Sequence, residues 1–165
     1  MTSLAIIGLG GNLGDRAANI SDALKLLDSH PKIEVVNQSR LFESFALTVA
    51  GKDESAPNYL NAVAVLETEL TPHELLAEAN QIETRLGRVR LERWAARTLD
   101  IDIISFDNLV MHTPELVLPH PRAKDRAFVL VPWAEVDSEA VLLGVGKVSD
   151  LAQELRSEVW LYAGN

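Results

Sequence analysis

Two aspartates stand close together in the otherwise apolar stretch RTLDIDII. Residues i and i+2 of a strand point the same way, about 6.6 Å apart along it. Asp100 and Asp102 are therefore expected on one face, with Leu99, Ile101 and Ile103 turned to a core. Like charges this close repel unless a cation lies between them, and oxygen ligands without a nearby histidine or cysteine suit Mg²⁺ bound together with substrate phosphates. The alternative is a pair of solvated acids on an exposed sheet face.

Five of the ten arginines lie in the stretch TRLGRVRLERWAAR, directly before these aspartates. Because the net charge is −9, this is a basic island on an acidic protein, and it is suited to attract an anion. Arginine in the last turn of a helix would explain Arg85, but Arg90, Arg93 and Arg97 follow Gly87, the expected helix stop. Cations for phosphate oxygens beside carboxylates for magnesium are the two halves of a nucleoside-triphosphate site.

Two further segments carry possible chemistry. The stretch LPHPRAKDRAFVL places His120 in one segment with Arg122, Lys124 and Arg126, although a lone loop histidine is usually structural or solvated. The stretch GLGGNLG resembles a nucleotide-binding loop, but Leu13 stands at the third glycine of the dinucleotide fingerprint and no Gly-Lys-Ser/Thr follows. It is as well explained by a tight turn.

The hydrophobic pattern predicts the elements that must position these residues. Strands are expected at residues 4–7, 33–45, 59–68 and 99–106, a glycine turn at 8–14, a polar loop at 46–58, and helices from the Asp15 cap to about Leu27 and from the capping box Thr71-Pro72-His73-Glu74 to Leu86. The order β-α-β-β-α-β predicts an α/β (α+β) fold of ferredoxin-like type, an antiparallel sheet with helices on one face plus a C-terminal extension over residues 107–165. We expect residues 1–165 to form a single domain.

Composition narrows the function classes. The chain has no cysteine, which fits the cytoplasm, and no apolar run approaches the roughly 18 residues of a membrane span. The N-terminus lacks the basic region of a signal peptide, and the negative net charge argues against nonspecific nucleic-acid binding. We expect a cytoplasmic protein that acts on small molecules, with no nucleic-acid or membrane partner. The expected assembly is a monomer, although the sequence itself gives no oligomeric state.

Four motifs then occur together in a fixed order: G-x-N-L-G, YLNAV, RVRxERWxxRTLDIDII and LPHPRxxxRxFVLxP. From about residue 4 to 136 the chain resembles the 6-hydroxymethyl-7,8-dihydropterin pyrophosphokinases of folate biosynthesis. The resemblance implies a ferredoxin-like α/β fold, ATP as co-substrate and two magnesium ions on the aspartate pair. The implied reaction moves the β,γ-diphosphate of ATP to the hydroxymethyl oxygen of the pterin and releases AMP.

The resemblance also implies a role for individual residues. Asp100 and Asp102 would bind the metal and, with Arg88 and Arg97, form the catalytic group. The ATP-binding residues would be Glu83, Arg88, Arg97, His120 and Arg126. The pterin-binding residues would be Ser44, Leu47, Tyr59, Asn61, Trp94 and Phe128. Arg88, Arg90, Arg97 and Trp94 would lie on a loop that is mobile without ligands and closes over the substrates.

Each transferred role has an ordinary alternative. Tyr59 and Phe128 would also serve as core aromatics, Asn61 as an exposed strand residue and Glu83 as a solvated helix acid. The chain also departs from the family where Gly11 replaces a usual serine and where the stretch SFAL, residues 44–47, lacks a proline, so that pterin affinity is the least secure transfer.

Three other function classes share some of these features. A nucleotidyltransferase also carries Asp-x-Asp on a strand, but its Gly-Ser turn comes shortly before the acids. A ferredoxin-like RNA-binding module needs stacking aromatics and a basic sheet face, whereas this chain has an acidic pair. A non-catalytic small-ligand or assembly domain is the third class. Formation of AMP from ATP and pterin would exclude all three.

Overall fold

The structure, a computed structural model, describes residues 1–48, 51–53, 57–87 and 98–165. Its strands are β1 (Ser3–Gly11), β2 (Ile33–Gln38), β3 (Phe42–Ser44), β4 (Ala46–Thr48), β5 (Gly51–Asp53), β6 (Tyr59–Thr68), β7 (Asp100–Phe106), β8 (Met111–His112), β9 (Val117–Leu118), β10 (Val141–Leu142), β11 (Gly146–Lys147) and β12 (Trp160–Leu161). Its α-helices are α1 (Arg16–Ser29), α2 (Pro72–Arg85), α3 (Ala127–Val136) and α4 (Val148–Leu155), and short 3₁₀ turns lie at Ala123–Asp125 and Arg156–Glu158.

The first two helices begin where the sequence predicts. The Asp15 side chain accepts a hydrogen bond from the N–H of Ala18 at 3.1 Å, which caps α1. At α2, Thr71 and Glu74 form a reciprocal capping box, with Pro72 at the first helical position. The two helices therefore carry their own start signals in the sequence.

A six-stranded antiparallel sheet forms the centre of the fold. Its strands follow the order β12-β3-β6-β1-β7, and β2 pairs with β6 beyond the end of β3. The long strands β1 and β6 pair along their whole lengths, from Ser3 opposite Thr68 to Gly11 opposite Leu60. The first four strands and two helices of the sequence pattern thus give the expected ferredoxin-like arrangement.

Two apolar cores lie on opposite faces of this sheet. On the first face, here called the helical face, α1 and α2 pack through Ile20, Leu27, Leu75 and Ile82. On the second face, here called the site face, α3 packs on one part of the sheet and α4 packs against α3. The C-terminal extension therefore builds a second core, and the rest of the site face carries the residues described below.

Local irregularities correct three of the sequence predictions. The glycine stretch at 8–14 is not a turn throughout, because β1 runs on to Gly11. The strand expected at 33–45 is broken at residues 39–41, because the backbone N–H of Arg40 binds Glu135 at 2.7 Å and that of Leu41 binds Asn165 at 2.7 Å instead of a neighbouring strand. The loop expected at 46–58 contains the paired strands β4 and β5.

Among the described residues, every helix is too short or too polar to cross a bilayer.

Candidate active site

One row of residues runs straight across the site face. Strand register places Phe42 opposite Asn61, Asn61 opposite Gly10 and Gly10 opposite Asp100. In the next row, Gly8 stands between Val63 and Asp102. Cross-strand neighbours point to the same face, so each aspartate lies beside a glycine, and Asp100 lies in the same row as Asn61.

Burial confirms the predicted alternation of apolar residues and aspartates at the start of β7. Leu99, Ile101 and Ile103 are buried in the core of the helical face, whereas Asp100 and Asp102 are partly exposed on the other side. Ile104 lies on the same face as the two aspartates and belongs to the second core. A bulge between β1 and β7 then returns Phe106 to the core of the helical face. The strand thus begins as one wall of an open surface and ends under α3.

The aspartate pair fits a magnesium ion that is shared with a ligand. Among the described residues, His, Cys, Asp and Glu form no group of three or more around a common point. Two carboxylates are too few to enclose a metal, but Mg²⁺ commonly takes one or two carboxylates and completes its shell with phosphate oxygens and water. Gly8 adds no side chain beside Asp102, which leaves room there for those further ligands.

Glu83 supports this strand from behind. Its carboxylate accepts a hydrogen bond at 2.8 Å from the backbone N–H of Ile101, the residue between the two aspartates. Glu83 is only 3% exposed. A hydrogen bond from a strand amide to a buried carboxylate fixes the strand relative to α2. The predicted contact of Glu83 with ATP stays a prediction, and the solvated helix acid is wrong because the side chain is buried.

Cationic side chains face the aspartates from the segment after β9. The Arg126 guanidinium lies 3.7 Å from the Asp102 carboxylate and 5.4 Å from the centre of the Phe128 ring. Burial lowers the pKa of Arg126, and the nearby charges of Asp102 and Asp100 partly oppose that shift. An arginine held beside a carboxylate pair is placed to meet the phosphates that would join a metal there.

His120 lies close to the same group. Its backbone N–H donates to the carbonyl of Ile104 at 2.8 Å, which joins the segment to β7. Burial lowers the pKa of His120, and the attraction of Asp102 partly offsets this. The N–H of Arg122 donates to His120 Nδ1 at 3.2 Å. The neutral ring therefore carries its proton on Nε2, and Nε2 is the nitrogen that can donate to a ligand oxygen.

Asn61 is the buried polar group at the other end of the row. It is 6% exposed, and among the described residues its Nδ2 has no hydrogen-bond partner. A buried donor without a partner is costly, and a ligand with an acceptor would satisfy it. The indole N–H of Trp133 has the same status, but its surroundings are the apolar side chains of the second core. Asn61 is not the exposed strand residue of the alternative interpretation.

Gly10 is a functional position that the sequence analysis did not single out. A Cβ at Gly10 would collide with the side-chain oxygen of Asn61 and lie 3.2 Å from the Leu60 carbonyl. Only glycine therefore lets the Asn61 side chain lie over β1. The signal was present in the sequence, since Gly8 and Gly10 alternate like residues on one face of a strand.

Of the remaining predicted site residues, some lie in the same region and others lie outside the described residues. Ser44 pairs directly with Tyr59 across β3 and β6, and Phe128 lies half-buried at the start of α3. Arg88, Arg90, Trp94 and Arg97 lie outside the described residues, as does the side chain of Leu47.

Comparisons with known proteins show what this chain is similar to. The family model for 7,8-dihydro-6-hydroxymethylpterin-pyrophosphokinase matches residues 6–138. A relative from Methylorubrum extorquens, named 2-amino-4-hydroxy-6-hydroxymethyldihydropteridine pyrophosphokinase, is 41% identical over 140 residues, which are 85% of this chain and 86% of the relative. A relative of the same name from Haemophilus influenzae is 37% identical over 150 residues, 91% of each chain.

Solved structures support the fold. The crystal structure of Plasmodium falciparum HPPK-DHPS with pteroate superposes with a TM-score of 0.75 at 14% identity, covering 95% of this chain. This chain spans 43% of that longer protein, so the match concerns only one part of it. With the family model and the two close relatives, the chain belongs to the 7,8-dihydro-6-hydroxymethylpterin-pyrophosphokinase family.

Proposed function

We propose that this protein transfers the β,γ-diphosphate of ATP to the hydroxymethyl group of 6-hydroxymethyl-7,8-dihydropterin and releases AMP. The observation that carries the proposal is the row Asn61–Gly10–Asp100. It joins an amide suited to a heterocycle edge with a carboxylate pair suited to a metal–phosphate complex, on two strands of one sheet that are separated only by β1. This is the arrangement that a diphosphate transfer between two bound substrates needs.

The phosphate half of the site would be formed by anionic and cationic groups together. Asp100 and Asp102 would hold two magnesium ions that also bind ATP. These ions would stabilise the phosphate charge as Lewis acids. Arg126 and His120 would donate to phosphate oxygens, as their positions beside Asp102 support. Arg88 and Arg97 would add charge from the arginine segment, and Glu83 would act near the nucleotide.

The pterin half would use one polar contact and aromatic faces. The amide of Asn61 offers both a donor and an acceptor, which matches the mixed edge of a pterin ring. Tyr59 and Phe128 would stack on its two faces. Ser44 and Leu47 would line the pocket, and Trp94 would cover it.

The reaction itself requires no covalent intermediate. The pterin hydroxyl oxygen attacks the β-phosphorus in line, a new P–O bond forms, and the bond between that phosphorus and the oxygen bridging to the α-phosphorus breaks. The leaving group is AMP, and the hydroxyl proton passes to solvent or to a base that we do not assign. The protein contributes positioning and charge neutralisation, which are the main sources of rate in phosphoryl transfer.

The nucleotide product tests this proposal directly. Purified protein is incubated with ATP, Mg²⁺ and reduced hydroxymethylpterin, and nucleotides are separated by chromatography. AMP should form in amounts equal to the pterin diphosphate. ADP would indicate transfer of one phosphoryl group, pyrophosphate release would indicate a nucleotidyltransferase, and no turnover would favour a binding domain.

The proposal also covers the domain organisation, the cellular compartment and the partners of the protein. Residues 1–165 would act as one catalytic domain, because both cores pack on a single sheet. The protein would work in the cytoplasm as a monomer on small-molecule substrates, without a nucleic-acid or membrane partner.

A further inference from the structure

Behind the sheet, one arginine joins four separate segments. Arg16 opens α1, and its Nη1 donates to the Glu43 carboxylate at 2.9 Å and to the Asn58 carbonyl at 2.9 Å. Its guanidinium also lies 5.5 Å from the centre of the Tyr162 ring. We call Arg16 and Glu43, with these contacts, the rear clamp.

Glu43 is held from two sides. While one carboxylate oxygen binds Arg16, the other accepts the indole N–H of Trp160 at 3.3 Å. Trp160 also pairs with Glu43 in the ladder between β12 and β3. The side chains of Arg16 and Glu43 are 23% and 17% exposed, so the pair is shielded enough for a charge-assisted hydrogen bond to matter.

The rear clamp lies directly behind two residues of the proposed pterin pocket. On β3, Glu43 faces the helical side together with its partner Leu60, while Ser44 faces the site side together with its partner Tyr59. The clamp therefore holds Glu43, next to Ser44, and Asn58, next to Tyr59. Any shift of Arg16 would be passed on to both pocket residues through one peptide unit each.

Polar contacts have to hold this region because apolar packing is incomplete there. A cleft of about 440 Å³ separates the start of α1 from Pro57 and Asn58, and Arg16 and Glu43 line it. Asn12 reaches across to the Pro57 carbonyl at 3.3 Å. Where side chains do not fill the space, the hydrogen bonds that cross it set the distance between the segments.

We propose that Arg16 and Glu43 are positioning residues for pterin: without touching it, they fix the spacing of Ser44 and Tyr59 from the rear of the sheet. This inference rests on the proposed function. It predicts that the clamp affects pterin affinity and leaves nucleotide affinity unchanged, since Asp102 and Arg126 lie at the other side of the row.

Equilibrium binding of each substrate tests the proposal. In Arg16→Gln and in Glu43→Gln, calorimetry should show the Kd for the pterin raised about tenfold, the size of a coupling between neighbouring groups, with the Kd for a non-hydrolysable ATP analogue unchanged. Arg16→Lys keeps the charge and should lie between wild type and Arg16→Gln. The double variant Arg16→Gln/Glu43→Gln should be no weaker than the worse single variant, because the two residues act as one unit.

A matched control separates positioning from general stability. Arg40 forms a comparable pair with Glu135, at 2.6 Å, near the other end of β3. Arg40→Gln should lower the melting temperature without changing either Kd. Equal weakening of pterin and nucleotide in Arg16→Gln, or a pterin Kd within twofold of wild type, would overturn the clamp. If the wild-type protein binds no pterin, the proposed function fails and the clamp fails with it.

Discussion

At the scale of single residues, the chemistry of each acidic side chain depends on its neighbours. Asp100 and Asp102 differ little from other surface acids until the glycines at positions 8 and 10 and the cation of Arg126 are placed next to them. Glu83 is an acid of the opposite kind, buried and bonded to a strand amide. The same side-chain type is thus a candidate ligand on one face of β7 and a structural support on the other.

The first prediction concerns the metal ligands. Asp100→Asn and Asp102→Asn should each lower kcat by a factor on the order of a hundred or more, the loss that follows removal of one pre-organised electrostatic group. The melting temperature should change little, because both aspartates are partly exposed. Asp22→Asn, an exposed change on α1, is the matched control. Turnover within a few-fold of wild type in either site variant would remove the magnesium role.

The second prediction concerns Asn61, whose side-chain Nδ2 has no hydrogen-bond partner among the described residues. Asn61→Ala should weaken pterin binding by about 1–3 kcal/mol, the cost of leaving a buried polar partner without its hydrogen bond, and should leave binding of an ATP analogue unchanged. Calorimetry with each ligand measures both. The reverse pattern would show that the two pockets have been exchanged.

A glycine pair supplies the control for Asn61. Gly10→Ala should reproduce the loss of pterin affinity, because its methyl group would displace the Asn61 side chain. Gly8→Ala should not, since a Cβ there would make ordinary contacts with Ile104, the nearest at 3.6 Å. If both glycine variants bind pterin as wild type does, Asn61 does not need the space above Gly10.

At the scale of elements, the sequence predicts helix starts and strand alternation best, because both depend on residues that are close together in the chain. The caps at Asp15 and Thr71 and the strand at 59–68 were predicted correctly, because side-chain alternation and capping are properties of neighbouring residues. The end of β1 was not predicted correctly, since Gly8 to Gly11 are strand residues through their pairing with β6 and β7, which are distant in the sequence. The break after β2 depends on Glu135 and Asn165, which are far away in the sequence.

The site shows the same division. The aspartate face of β7 follows from period 2 alone, whereas the burial of Glu83 requires knowing which side of α2 meets the sheet. Among the described residues Asn61 Nδ2 lacks a hydrogen-bond partner, and the Asn61 side chain lies over Gly10. Both features depend on the register of β1 and β6. Most other roles came from the family resemblance and stay predictions.

The third prediction concerns the capping box of α2. The hydrogen bonds from Thr71 lower the pKa of Glu74 below its usual value of 4.5. The unfolded chain therefore binds this proton at a higher pH than the folded one, so that stability rises with pH through this range and is lost as pH falls through the folded pKa. Urea unfolding of wild type and Glu74→Gln from pH 6 to pH 3, a range that spans the usual glutamate pKa of 4.5, should show the two curves converging at the acid end. A constant difference at every pH would mean that the carboxylate charge contributes nothing.

At the scale of the whole molecule, two cores share one sheet. β1 and β6 contribute alternate residues to each, for example Ile7 to the core of the helical face and Ile6 to the second core. Neither core can lose its side chains without exposing the strands that support the other. The site lies where the second core ends, so that α3 brings Arg126 and Phe128 to a sheet that α1 and α2 hold in place.

The last prediction follows from this shared sheet: the two cores should unfold together. Leu27→Ala in the first core and Leu130→Ala in the second each remove a side chain that is at most 1% exposed, and each should cost about 2–5 kcal/mol of unfolding free energy. Because β1 and β6 belong to both cores, each substitution should lower the protection of amide hydrogens in α1 and in α3 by the same amount. Hydrogen exchange of peptides from these helices, followed by mass spectrometry in low denaturant, measures this directly. Loss of protection confined to the helix that packs on the mutated core would show two independently folding units and would contradict a single catalytic domain.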